Sequence, residues 1–178
     1  MSKYAGTQTE KNLQAAFAGE SQATNKYTYF ASVAKKEGYE QIAEIFRKTS
    51  ANEQYHAKMW LRELEGIGTT AENLLAAAKG EKEEWDVLYR EFAKVAEEEG
   101  FIEIATAFKM ISTVEAEHER RYLKLLSRLT DGNFFKRDGK IWWQCRNCGF
   151  VIEAEEAPKL CPACKHPQAY FEPKKENY

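Results

Sequence analysis

Residues 53–56 read Glu53-Gln54-Tyr55-His56 and residues 115–118 read Glu115-Ala116-Glu117-His118, so a glutamate and a histidine stand three apart twice in one chain. A helix advances about 100° per residue, so positions i and i+3 share a face and can offer one carboxylate and one imidazole to the same ion. One such pair alone is more often solvated on a helix surface. Two copies at matching places in a repeated unit point instead to a two-metal carboxylate site. The repeat emerges on sliding the sequence by 62 positions, which lays Tyr27 on Tyr89, Gly38 on Gly100, Glu53 on Glu115 and His56 on His118. Apolar positions follow: Phe30 meets Phe92, Val33 meets Val95, Ile42 meets Ile104, Phe46 meets Phe108, Leu61 meets Leu123 and Leu64 meets Leu126.

Each half therefore reads helix, glycine turn, helix. The pattern predicts helices over 8–36, 39–65, 70–98 and 101–129, with Gly38 and Gly100 in the turns and Thr69-Thr70-Ala71-Glu72 resembling a capping box at the third helix. The 178 residues accommodate one helical bundle over 1–132 and a small second module over 133–178. A balance of 26 basic and 28 acidic residues, with no long basic block, gives no reason to expect nucleic acid as a partner. No apolar run reaches the roughly 18 residues that span a bilayer, and Met1-Ser2-Lys3-Tyr4 lacks the apolar segment of a secretion signal. The expected location is the cytoplasm, away from any membrane.

All four cysteines fall in the second module, as Cys145-Arg146-Asn147-Cys148 and Cys161-Pro162-Ala163-Cys164. In a reducing compartment, paired Cys-x-x-Cys knuckles hold a tetrahedral metal more often than they form disulfides. The segment is too short for a good core of its own, so the thiolates are expected to supply much of its folding energy. Ile141-Trp142-Trp143 and Tyr170-Phe171 read as short strands beside the knuckles. Four thiolates suit iron and zinc alike. A one-electron iron beside a di-iron site has an evident use, which favours iron, with zinc as a possible substitute.

In the bundle, Glu53, His56, Glu115 and His118 are joined by Glu20, after Gly19, and by Glu81 or Glu84, after Gly80. That matches the ferritin-like pattern of one Glu from each of two helices and Glu-x-x-His from the other two. Glu20 lies among small and apolar residues, where an unpaired carboxylate would be costly to bury and a metal ion removes the cost. With these ligands laid out, the whole chain resembles rubrerythrin, an all-α ferritin-like four-helix bundle fused to a C-terminal rubredoxin-like iron domain. The marks are Ala18-Gly19-Glu20-Ser21-Gln22-Ala23, Glu53-x-x-His56, Gly80-Glu81 with Glu84, Glu115-x-x-His118 and the cysteine knuckles, in that order.

The resemblance implies a non-haem di-iron peroxidase that reduces hydrogen peroxide to water in defence against oxidative stress. Electrons would come from a reduced nicotinamide through a partner such as rubredoxin or an NAD(P)H-dependent reductase. It makes Glu53 and Glu115 bridging ligands, Glu20 and Glu81 terminal ligands and His118 a permanent ligand. By the same resemblance Glu84 would be an additional carboxylate that exchanges with His56 as one iron changes oxidation state, a carboxylate suiting the harder ferric ion. Cys145, Cys148, Cys161 and Cys164 would hold the single electron-transfer iron, and Tyr27 and Tyr89 would orient ligand carboxylates. A ferroxidase or iron-handling protein, and a non-enzymatic metal-binding protein with a zinc ribbon, are the competing readings. Trp60 and Trp85 read as core filler and His166 as an exposed turn residue. Lys165 departs from the rubredoxin pattern, which has Gly there, and the segment between the knuckles is shorter than in rubredoxins.

Two irregularities carry structural expectations. Glu20 to Tyr27 spans seven residues and Glu81 to Tyr89 eight, although everything downstream keeps the 62 offset. The extra residue predicts a π-bulge in the third helix near Glu84. Ferritin-like topology also runs the second and third helices parallel. With ligands level, their facing ends stand about 28 Å apart at 1.5 Å per residue. The six steps from Leu64 to Thr70 reach only about 20 Å. The spacing therefore predicts a domain-swapped dimer in which the first hairpin of one chain completes a bundle with the second hairpin of its partner. The alternative is an up-down-up-down monomer turning at Gly66-Ile67-Gly68.

Overall fold

A computed structural model describes residues 2–176, which divide at Thr69 into two compact units. The first unit is a helical hairpin of α1 (Gln8–Lys36) and α2 (Glu40–Glu63). Thr7 caps α1 by accepting a hydrogen bond from the Glu10 amide, so the first turn has a partner for one of its free N–H groups. Gly38, at φ +87°, closes the helix in the left-handed conformation that side chains avoid. The seam between the helices is made of small residues, Ala31, Ala34, Ala43, Ser50 and Ala57, all buried. Small seam residues let the helices approach closely and leave the larger apolar side chains on the outer faces. Phe30, Val33, Ile42 and Ile45 are accordingly 46–56% exposed.

The second unit begins with α3 (Thr70–Glu83), continues through a π-helical segment, Glu84–Leu88, into α4 (Tyr89–Glu98), and returns along α5 (Ile102–Thr130). The expected third helix over 70–98 is thus interrupted where the repeat offset demanded an extra residue. The Tyr89 amide reaches back to the Glu84 carbonyl, five residues away. Ala78, Ala93, Ala96 and Ala105 are buried, while Phe92, Val95, Ile104, Met110 and Val114 are exposed, repeating the pattern of the first hairpin.

The remaining chain forms a three-stranded antiparallel sheet in the order β2-β1-β3, with β1 (Lys136–Cys145), β2 (Val151–Glu156) and β3 (Phe171–Pro173). β1 is longer than Ile141-Trp142-Trp143 suggests, and β2 has no counterpart among the strands expected from sequence. A short 3₁₀ turn, Gln168–Tyr170, leads into β3. The core here comprises Trp143, Cys145, Ala157, Cys161 and Phe171, so two of five buried residues are cysteines. The Trp143 indole donates to the Ala154 carbonyl at 3.0 Å, which satisfies the one polar atom that burying the ring would otherwise orphan.

Candidate metal centres

Helix periodicity places Glu53 and His56 side by side on α2, and α1 brings Glu20 to them. Their ligand atoms lie within 4.8 Å of one another. His56 Nδ1 is 2.8 Å from a Glu53 oxygen and 3.9 Å from a Glu20 oxygen. The second hairpin repeats the group with Glu81 from α3 and Glu115 and His118 from α5, where His118 Nδ1 stands 2.7 Å from Glu115 and 3.4 Å from Glu81. Each group is a carboxylate-rich, one-imidazole set on a single hairpin. The His56 side chain is 47% exposed and that of His118 34%.

Burial, partly offset by His118, pushes the Glu81 carboxyl above its usual range, with the neighbouring Glu115 adding to the rise. Crowded carboxylates disfavour each other's ionisation, and a divalent cation between them would favour it. Tyr89 is likewise raised, first by burial and then by the charges of Glu84, Glu115 and Glu81. The charges of these carboxylates therefore reach its phenol, which they help keep protonated. Tyr27 and Tyr89 each head an aromatic cluster, Tyr27 with Phe30 and Phe46 and Tyr89 with Phe92 and Phe108. Glu84, the first residue of the π segment, is half-buried and stands outside the three-residue group, near enough for its charge to act on Tyr89.

The four cysteines converge in the sheet domain. Cys145 Sγ lies 3.8 Å from Cys164 Sγ, and Cys148 Sγ 3.7 Å from Cys161 Sγ. A disulfide would bring them to about 2.05 Å, whereas a tetrahedron with metal–sulfur bonds of about 2.3 Å has edges of about 3.8 Å. The sulfurs therefore stand where a tetrahedral ion needs them.

The geometry is matched by sequence kinship. The family model described as rubrerythrin matches residues 11–126, and that of the rubrerythrin rubredoxin-like domain matches residues 143–172. A rubrerythrin of Porphyromonas gingivalis is 61% identical, the alignment covering 97% of this chain and 93% of the relative. The chain belongs to the rubrerythrin family. Rubrerythrin-1 of Clostridium acetobutylicum is 49% identical over the full length of both chains. The solved partially reduced state of nigerythrin is 31% identical, covering 97% of this chain and 90% of that one, with a TM-score of 0.36. Rubrerythrins are oxidoreductases, and the cofactors of this chain are a non-haem di-iron centre and a mononuclear iron held by four cysteines. The donor sets fit both: carboxylate and imidazole for the pair, four thiolates for the single ion.

Backbone amides tune the thiols. The His166 amide holds Cys164 down to about 6. Cys148, although the Phe150 amide favours its thiolate, is pushed up to about 12 by the sulfurs of Cys164, Cys161 and Cys145 and by burial. His166 is more than an exposed turn residue: it is half-buried, stacks edge-on against Tyr170 at 4.5 Å, and its carbonyl accepts from the Cys161 amide. Lys165 adopts φ +62°, the conformation that accounts for Gly at this place in rubredoxins.

Trp85 also departs from the expected core filler, because its indole donates to Glu119 at 2.7 Å. Trp60 is half-buried with no partner for its Nε1 among the described residues. Two serines escaped the sequence reading. Ser50 donates to the Thr24 carbonyl at 2.8 Å, and Ser112, its counterpart at offset 62, donates to the Trp85 carbonyl at 3.0 Å. Their match across the repeat was a visible signal.

Proposed function

We propose that this chain reduces hydrogen peroxide to water at a di-iron centre in oxidative-stress defence, and is re-reduced through its four-cysteine iron. The observation that supports this reading best is the pair of Glu, Glu, His groups on duplicated hairpins, in one chain with a tetrathiolate site suited to electron entry. When bound, the iron pair supplies two electrons and Lewis-acid polarisation to the oxygen–oxygen bond. Glu53 and Glu115 would be shared between the two ions, Glu20 and Glu81 would each hold one, His118 would be a constant ligand, and Glu84 and His56 would alternate at one position. Tyr27 and Tyr89 would keep the ligand carboxylates oriented. Rubredoxin or an NAD(P)H-dependent reductase supplies electrons to the segment 133–178, while residues 1–132 carry the chemistry. The location is cytoplasmic.

The working form is a homodimer in which the first hairpin of one chain closes over the second hairpin of its partner. Three features support this: the short connection over residues 64–69, the exposed Phe30, Val33, Phe92 and Val95, and ligand histidines left open on each hairpin. Sedimentation showing a monomer with a full complement of iron would exclude the swap. For the activity, the protein is reduced anaerobically and then given peroxide or oxygen while visible absorption is followed. Peroxide should reoxidise it faster; faster reoxidation by oxygen would overturn the peroxidase reading in favour of iron oxidation.

A further inference from the structure

The two hairpins are internal controls for each other, and a polar contact in the second has no counterpart in the first. Ser50 and Ser112 occupy matching places and bond matching carbonyls, so Thr24 corresponds to Trp85 and the extra residue lies among Asp86, Val87 and Leu88. The counterpart of Glu119 at offset 62 is Ala57, which is buried in the seam. The first hairpin therefore has neither the indole donor nor the carboxylate acceptor, and it has no π segment; the second hairpin has all three.

We propose that Trp85 and Glu119 form a clamp that holds the π segment in place and so sets where the neighbouring Glu84 carboxylate lies; this rests on Glu84 being an iron ligand. The indole donates to Glu119 at 2.7 Å and the Trp85 carbonyl accepts from Ser112 at 3.0 Å, so side chain and backbone of one residue are both tied to α5. Register is read by a third contact. In an α-helix, residues five apart are turned about 140° from each other, whereas a π turn returns them to one side. Arg90, five residues after Trp85, has its guanidinium 5.2 Å from the indole, and Lys82 covers the ring at 5.1 Å. A π-bulge can migrate along a helix because the extra residue fits at several positions. Pinning Trp85 keeps the bulge at Glu84–Leu88. Trp85 and Glu119 are thus positioning residues, acting through Glu84.

The test uses the full chain with Glu119→Ala, Glu119→Gln, Trp85→Phe and, separately, Glu84→Ala. Hydrogen exchange of the metal-free proteins reads the clamp without iron. Amides of residues 86–90 should exchange at least ten-fold faster in Glu119→Ala and Trp85→Phe, with Glu119→Gln restoring protection because its amide oxygen still accepts the indole proton. Unchanged exchange in Glu119→Ala would overturn the clamp. In the iron-loaded proteins, Glu119→Ala should reproduce the visible-spectrum change of Glu84→Ala, again rescued by Glu119→Gln. Faster exchange together with a wild-type spectrum in Glu119→Ala, when Glu84→Ala alters it, would overturn the positioning role. A Glu84→Ala spectrum identical to wild type would overturn Glu84 as a ligand, leaving the clamp itself to be decided by exchange.

Discussion

Deleting one residue should have opposite consequences in the two hairpins. Removal of Val87, 53% exposed within Glu84–Leu88, lets the segment relax to an α-helix and gives the second hairpin the seven-residue spacing that already exists from Glu20 to Tyr27. Removal of Lys26, which lies in an uninterrupted α1, has no such reserve. There, everything on one side of the deletion turns by about 100° and shifts about 1.5 Å; at a radius of about 5–6 Å, a side chain travels roughly 8–9 Å. Either Glu20 swings away from His56, from which it now stands 3.9 Å, or Ala31 and Ala34 leave the seam. Larger residues entering that seam cost about 1–3 kcal/mol, which lowers Tm by roughly 2–4 °C per kcal/mol in a chain of this size. Thermal melts of the metal-free variants by circular dichroism should show deletion of Lys26 several degrees below wild type and deletion of Val87 at or above it. Metal titration should show the Glu81, Glu115, His118 group retained in the Val87 deletion. Equal destabilisation by the two deletions would refute the argument that the π segment absorbs the extra residue.

Replacing the buried Cys161 by Ser, or stripping the metal, should unfold the sheet domain while the helices persist, because Cys161 and Cys145 are two of its five core residues and structural metal binding contributes on the order of 10 kcal/mol; tryptic cleavage confined to residues beyond Thr130 checks it, and a protease-resistant Cys161→Ser domain would contradict it. Glu65 and Lys165 sit at φ +56° and +62°, so Glu65→Gly and Lys165→Gly should each stabilise by about 1 kcal/mol in denaturant titrations. The Tyr4 hydroxyl and then Lys3 hold the exposed Glu63 carboxyl below its ordinary 4.5. Its stabilising contribution is therefore complete above that value and lost as pH falls through the lowered one, and Tyr4→Phe should shrink the drop in Tm between pH 6 and acid, measured by a melt series.

Much of this molecule could be read in one dimension because its key contacts are local. Glu53 with His56 and Glu115 with His118 meet through helix periodicity alone, and the glycines at 38 and 100 announce their turns. The π segment was legible for a subtler reason: a duplicated chain carries its own reference, so a one-residue mismatch against an otherwise constant offset has to be absorbed somewhere. Cysteine spacing likewise revealed a tetrahedral set, because two knuckles of fixed span leave few other uses for four thiols.

What stayed hidden needed three dimensions. No periodicity links Trp85 to Glu119, 34 residues away, or Ser50 to the Thr24 carbonyl, since these bonds depend on how closely two helices pack across an alanine seam. β2 is silent in sequence because Val151–Glu156 alternates weakly and owes its strand state to pairing with β1. His166 reads in sequence as an exposed turn residue, yet its amide and carbonyl serve Cys164 and Cys161. Helix period and ligand spacing are properties of neighbours along the chain; hydrogen bonds between helices and strand pairing are properties of the packed molecule, and only folding brings their partners together.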